Sequence, residues 1–305
     1  MPRQNLDFSK DFINRTAEQE LFDNLLQFND PARILAIEDK AGTGKTTLLG
    51  RLEYKCRWIF YYPVGIVPLE SETISSPFAF IEHLRNSYGQ DQVFETFDKL
   101  NTARVNKIAS SFAASPVSMM GALYAQGSVL SGSGNKQVGL EVTQPQQVVI
   151  NPVTPVPAAD WSPTQEASAR DACIRGFFDD LKVIAAENPL VILLDSFERC
   201  NEDLRVWILN GFLLPLCFNI ARRPSRLLVV LAGRVLSDVL NRQGHQQVVK
   251  SGSPLSGWDL EHVKAFLKVH GYGNLSDRDV DIIWEKVKAG YSIAKAISLA
   301  EALAL

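Results

Sequence analysis

The residues best placed to do chemistry lie in Ala41-Gly42-Thr43-Gly44-Lys45-Thr46-Thr47. Holding a polyphosphate requires several backbone N–H groups converging on one point, and only a chain free of bulky side chains curls tightly enough. Gly42 and Gly44 supply that freedom. A helix opening near Lys45 adds its unpaired N–H groups and the positive end of its dipole. In such a loop Lys45 reaches the β- and γ-phosphates of a nucleotide, and the Thr46 hydroxyl binds Mg²⁺. One position departs from the pattern G-x-x-x-x-G-K-[ST]: Asp39 stands at the first glycine. An acid there is mildly unfavourable beside polyphosphate unless its side chain points away.

A second constellation, Leu190-Val191-Ile192-Leu193-Leu194-Asp195-Ser196-Phe197-Glu198, follows much later. Asp195 closes a wholly apolar run, at the carboxyl end of a buried strand, where open α/β sheets bind ligands. There it can share Mg²⁺ with Thr46 through water. Glu198, three residues on, has the chemistry to polarise an attacking water as a general base.

These groups need a scaffold, and the hydrophobic pattern outlines one. Thr16 to Leu26 reads as a helix with Thr16 as N-cap, followed by a short buried strand over Arg33–Glu38. Trp58-Ile59-Phe60-Tyr61-Tyr62 is aromatic and β-branched and predicts a second strand. Ser76-Pro77 opens a helix, and another runs from about Gln92 to Phe112. Beyond the middle of the chain come a helix over about Thr164–Glu187, the strand Leu190–Asp195, and a long helix over Glu202–Asn219 that Pro215 should kink or end. Arg226–Ala232 predicts another buried strand and Gln246–Lys250 a weaker one. Asp259–Leu305 is helical throughout, broken at Gly271, Gly273 and Gly290. Strands alternating with helices, then helices alone, predict an α/β fold: a parallel sheet flanked by helices, followed by a small C-terminal helical lid. On this reading residues 1–113 and 164–252 build the nucleotide domain and 253–305 the lid.

Residues 114–163 interrupt that domain. Gly, Ser, Gln, Val and Pro dominate, and the charges are Lys136, Glu141 and Asp160. Pro152, Pro155 and Pro157 argue against a central strand, which predicts a low-complexity surface insertion. Its valine-rich part, Val138 to Ile150, is suited to pairing with another strand.

Three further stretches carry a resemblance. Phe12-Ile13-Asn14-Arg15-Thr16-Ala17-Glu18-Gln19-Glu20-Leu21 resembles the box that precedes the phosphate loop in origin-recognition-type AAA+ proteins and in STAND ATPases, the signal-transducing NTPases that include NACHT and NB-ARC proteins. Asn14 replaces the usual glycine. Leu227-Leu228-Val229-Val230-Leu231-Ala232-Gly233-Arg234 resembles a core strand ending in an arginine sensor, and Ala289-Gly290-Tyr291-Ser292 is similar in position to the lid's G-x-P segment, with Ser292 in place of proline. The resemblance implies that Ile13, Asn14 and Arg15 contact base and phosphate and that Arg234 meets the γ-phosphate. It implies ATP/ADP and Mg²⁺ as cofactors, slow ATP hydrolysis, and a nucleotide switch that controls self-association as a homo-oligomer or within a signalling complex. Such proteins often act in signalling or antiviral defence in bacteria. Two alternatives stand beside it: an initiator-like, DNA-associated AAA+ ATPase, and a scaffold that binds nucleotide without hydrolysing it.

Composition bounds these readings. The 305 residues carry a formal charge of −3, so no global positive field favours nucleic acid. Cys56, Cys173, Cys200 and Cys217 are scattered, predicting buried free thiols rather than a zinc site or disulfide framework. No signal peptide is apparent at the start, and the apolar runs are too short for a bilayer, which predicts a cytoplasmic protein without membrane contact. His83, His245, His262 and His270 show no ligand spacing. Arg222-Arg223-Pro224-Ser225-Arg226 is a short basic run, either a solvated loop or an arginine finger acting in trans.

Overall fold

The computed structural model describes residues 15–41, 43–89, 92–113, 162–219, 223–241, 247–252, 259–289 and 293–304. Five strands, β1 (Ile34–Glu38), β2 (Val64–Pro68), β3 (Leu190–Asp195), β4 (Leu227–Gly233) and β5 (Val249–Ser251), form one parallel sheet in the order β2-β3-β4-β1-β5. Before and between them lie α1 (Thr16–Leu25), α2 (Lys45–Tyr54), α3 (Pro77–Ser87), α4 (Glu95–Ala113), α5 (Pro163–Glu187), α6 (Glu202–Trp207) and α7 (Ser237–Leu240). Three helices follow: α8 (Leu260–Val269), α9 (Asp277–Lys288) and α10 (Ile293–Leu303).

Every residue of β3 and β4 is buried, as continuous apolar runs between two helical layers should be. On one face Leu35, Ile37, Val191, Leu193 and Val230 pack with Phe22 of α1 and Leu48, Leu49 and Leu52 of α2. Each such fully buried side chain contributes about 1.5–3 kcal/mol against exposure. That packing clamps α2 to the sheet and so fixes where the loop between β1 and α2 begins and ends. Elsewhere buried aromatic rings meet edge-on or stacked, Phe80 with Phe212 at 4.9 Å and Phe94 with Phe177 at 5.0 Å between centroids. The last three helices close a small core of their own, with Val263, Leu267, Val280, Ile283, Ala296 and Ala300 buried. Asp259 and His262 cap α8 reciprocally, Ser276 caps α9, and Gly271 turns the chain between them at φ 87°.

The chain divides into two compact units, Met1–Thr96 with Ile174–Leu305, and Phe97–Cys173. The described part of the second consists of segments of α4 and α5, tied by an Arg104–Glu166 ion pair at 2.8 Å. The expected insertion at 114–163 lies outside the described residues except at its C-terminal end, where Pro163 begins α5.

Two expectations require correction. Trp58–Tyr62 is not a strand. Helical turning continues past α2 in wide turns over Lys55–Phe60, and the second strand is Val64–Pro68. Burial overrode propensity: Trp58 and Tyr61 are 65% and 80% exposed, while Val64 and Val67 are buried and Gly65 lets Leu84 of α3 and Tyr88 just after it approach closely. The helical run expected over Glu202–Asn219 is present, regular to Trp207 and then in wide turns over Ile208–Phe218 that contain Pro215. Thr16 is the first helical residue rather than the cap; Arg15 holds that place at φ 83° with no side-chain cap.

Candidate functional site

Strand order sets the site. Because β4 lies between β1 and β3, the carboxyl ends of all three stand side by side, with Asp39 just after β1, Asp195 at the end of β3 and Arg234 just after β4. After β1 the Asp39 N–H donates to Gly233 O of β4 at 3.2 Å, anchoring the start of the loop. The Lys40 N–H donates to Asp39 Oδ1 at 2.6 Å and the Thr43 hydroxyl to Lys40 O at 3.0 Å, so the loop closes on itself. Gly44 caps α2 at φ 87°, a conformation that strains any side chain, and its carbonyl accepts the Leu48 N–H at 2.9 Å. Ala41, Thr43, Thr46 and Thr47 are all present along this turn, while Gly42, Ile13 and Asn14 lie outside the described residues.

Lys45 folds onto the loop, its Nζ donating to Asp39 O at 2.6 Å and to Lys40 O at 2.5 Å. Arg15, buried with 5% exposure, donates from Nη2 to Thr43 O at 2.7 Å. Burial holds both side chains below their ordinary pKa; for Arg15 the charges of Glu18 and Asp39 oppose that, and for Lys45 those of Asp39, Glu198 and Asp195. Arg15 thus meets the loop between β1 and α2 through the Thr43 carbonyl.

The Thr46 hydroxyl donates to Asp195 Oδ2 at 2.7 Å, joining residues 149 positions apart. Asp195 is 7% exposed, and burial raises its carboxyl above the ordinary range against the opposing pull of the Thr46 hydroxyl and the Ser196 N–H. Ser196 is held at φ 59°, a conformation costly for a non-glycine residue and characteristic of functional sites. Two adjacent oxygen donors, one a carboxylate, match the hard-cation chemistry of Mg²⁺.

Glu198 and Arg234 meet directly. Arg234 Nε lies 3.1 Å from Glu198 Oε1, and the Arg234 backbone N–H donates to Glu198 Oε2 at 3.0 Å. Gly233 makes this approach feasible, since a Cβ there would stand 3.2 Å from Glu198 Oε2. The five residues Lys45, Thr46, Asp195, Glu198 and Arg234 are thus gathered at one end of the sheet.

Sequence reasoning missed two supporting acids. Glu38 Oε2 accepts the Leu236 N–H at 2.7 Å and pins the turn after β4. Glu70 follows β2, pairs with Arg199 at 3.0 Å and adds negative charge near Asp195. Correct placement of β2 was the signal that would have found Glu70. The basic run is not beside this site: Arg223 and Arg226 precede β4, at its opposite end, and bond the carbonyls of Pro31, Ala186 and Glu187. Among the described residues no cluster of His, Cys, Asp and Glu could hold a metal by itself, and no helix is long and apolar enough to cross a membrane. All four cysteines are unbridged and buried, and burial pushes the Cys56 and Cys217 thiols up to about 12.

No family model and no curated protein sequence matches the chain. Among solved structures it is similar to Cdc6p from Pyrobaculum aerophilum, with 16% identity and a TM-score of 0.39 over 86% of this chain and 52% of that one. The chain therefore spans about half the length of that neighbour.

Proposed function

We propose that this chain binds ATP or ADP with Mg²⁺ and hydrolyses ATP slowly, as a nucleotide switch of the STAND type. The contact between Thr46 and Asp195 carries the reading. A hydroxyl following a glycine-lysine loop and a carboxylate ending a buried strand stand 149 positions apart in the chain, yet they lie 2.7 Å apart. The residues fit the cofactors: Lys45 is bonded to exchangeable main-chain carbonyls, and Thr46 and Asp195 offer oxygen ligands. When bound, Mg²⁺ supplies charge neutralisation to the phosphates.

In this reading Lys45 and the N–H groups opening α2 hold the β- and γ-phosphates, and Thr46 and Asp195 hold the metal. Glu198 accepts a proton from the attacking water, and Arg234 neutralises the γ-phosphate. Arg15 braces the loop through Thr43 O. Arg234 engages both oxygens of Glu198, so the base is occupied until the arginine turns to phosphate. That double hold supports slow turnover. It equally supports a second reading, a scaffold that binds nucleotide without hydrolysing it. Nucleotide state would act on the helical segment 253–305, controlling self-association in signalling or defence.

The test is binding of a labelled ATP analogue with Mg²⁺ by wild type and Lys45→Ala, together with phosphate release with and without DNA. Binding lost in Lys45→Ala with slow DNA-independent release supports the switch, and no release supports the scaffold. DNA-stimulated release points instead to an initiator-like ATPase. Undiminished binding by Lys45→Ala overturns the phosphate-loop assignment.

A further inference from the structure

Asp39 is the residue at which the phosphate loop departs from its expected pattern, and its surroundings give that departure a purpose. One carboxylate oxygen is used locally, Oδ1 accepting the Lys40 N–H at 2.6 Å. The other, Oδ2, is buried and has no hydrogen-bond partner. A buried, unpartnered carboxylate oxygen is costly, so an acid retained in such a place calls for a reason beyond loop stability. The loop's two nearby cations both feel it. Lys45 Nζ rests on the Asp39 and Lys40 carbonyls, Arg15 reaches Thr43 O, and among the charges raising the Lys45 pKa that of Asp39 is the largest. Asp39 cannot swing its backbone away, because its N–H is tied to Gly233 O of β4.

We propose that Asp39 is a specificity-determining residue of the nucleotide site, an internal anion that competes with the polyphosphate for Lys45 and so selects the magnesium complex over the magnesium-free nucleotide. The proposal rests on the nucleotide-binding reading above and deepens it. Its physics is charge bookkeeping: the magnesium-free nucleotide carries more negative charge into a loop that already holds a carboxylate, while the magnesium complex carries less. Lys45 must leave two carbonyls and a nearby carboxylate to meet phosphate. The competing anion therefore weakens binding most where the ligand charge is greatest.

The test measures equilibrium binding of a fluorescent ADP and a non-hydrolysable fluorescent ATP analogue, each with Mg²⁺ and with EDTA. The proteins are wild type, Asp39→Asn, Asp39→Gly and Lys45→Ala. Asp39→Asn keeps an oxygen for the Lys40 N–H and removes the charge, placing an amide NH2 where Oδ2 stands, while Asp39→Gly removes the side chain altogether. Both Asp39 variants should tighten magnesium-free binding on the order of tenfold, the scale of one like-charge interaction weakened by solvent and salt, and tighten magnesium-bound binding less. The ratio of Kd without to Kd with Mg²⁺ should fall accordingly, and the gain should shrink as salt is raised. An unchanged ratio in Asp39→Asn, with binding intact there and lost in Lys45→Ala, overturns the role of Asp39 and leaves the nucleotide site standing. No binding by any of the four proteins, or equal binding by wild type and Lys45→Ala, overturns the nucleotide site and this proposal with it.

Discussion

Gly233→Ala separates binding from chemistry in the proposed site. A Cβ at this position would meet Leu236 Cδ2 at 2.8 Å, Glu198 Oε2 at 3.2 Å and Phe197 Cβ at 3.4 Å. The backbone cannot retreat, because Gly233 pairs with Glu38 in the β1–β4 ladder and its carbonyl accepts the Asp39 N–H. Leu236 is fully buried, so displacing it is overpacking, which costs about 1–3 kcal/mol. Moving Glu198 also breaks the bond from the Arg234 N–H, adding about 1 kcal/mol at this partly solvated carboxylate. Together these come to about 2–4 kcal/mol, or a Tm lowered by roughly 5–15 °C in a domain of this size. Lys45, Thr46 and Arg15 are untouched, so affinity for an ATP analogue should hold within a few-fold. Turnover should fall by ~10² or more, as when a general base is misplaced. Thermal unfolding, analogue binding and phosphate release on one preparation read all three. Wild-type turnover together with a Tm within about a degree of wild type would refute both the packing argument and the role given to Glu198.

Glu198→Gln retains shape and an acceptor for the Arg234 N–H but loses the base, so ATP should bind and persist, with single-turnover hydrolysis slowed ~10²–10⁴-fold; a wild-type rate would make Glu198 a structural acid. Asp195→Asn bears on pH. Burial raises the Asp195 carboxyl above its ordinary 3.8, so the folded chain binds more protons than the unfolded chain between the two values, and stability falls as pH rises through that window. In EDTA, Asp195→Asn should therefore unfold at a higher temperature than wild type at neutral pH, the gap closing as pH drops toward 3.8, while Mg²⁺-dependent nucleotide binding is lost. A variant less stable than wild type at neutral pH would contradict this. Replacing Ser115–Pro157 by a short Gly-Ser linker should leave nucleotide affinity and Tm nearly unchanged, because the Arg104–Glu166 pair already joins α4 to α5. Failure of that variant to fold would show the segment to be part of the core.

The local chemistry was legible in the sequence because it depends on neighbours along the chain. Gly44 at φ 87°, Lys45 and Thr46 at the start of α2, and Asp195 ending β3 all follow from turn geometry, helix N-termini and continuous apolar runs. The α/β class was legible for the same reason, since β3 and β4 are buried on both faces and read as unbroken hydrophobic stretches. What the sequence misjudged were places where tertiary burial competes with local preference. Trp58–Tyr62 has the composition of a strand, but Trp58–Phe60 stay in wide helical turns and Tyr61 and Tyr62 lead out of them, because the buried valines of Val64–Pro68 complete the sheet instead. Strand order also belongs to the tertiary structure. Only the placement of β4 between β1 and β3 brings Arg234 to Glu198, ties Asp39 to Gly233, and sets Thr46 against Asp195 across 149 residues. No local rule contains those contacts, because each is decided by which buried faces the whole sheet must cover.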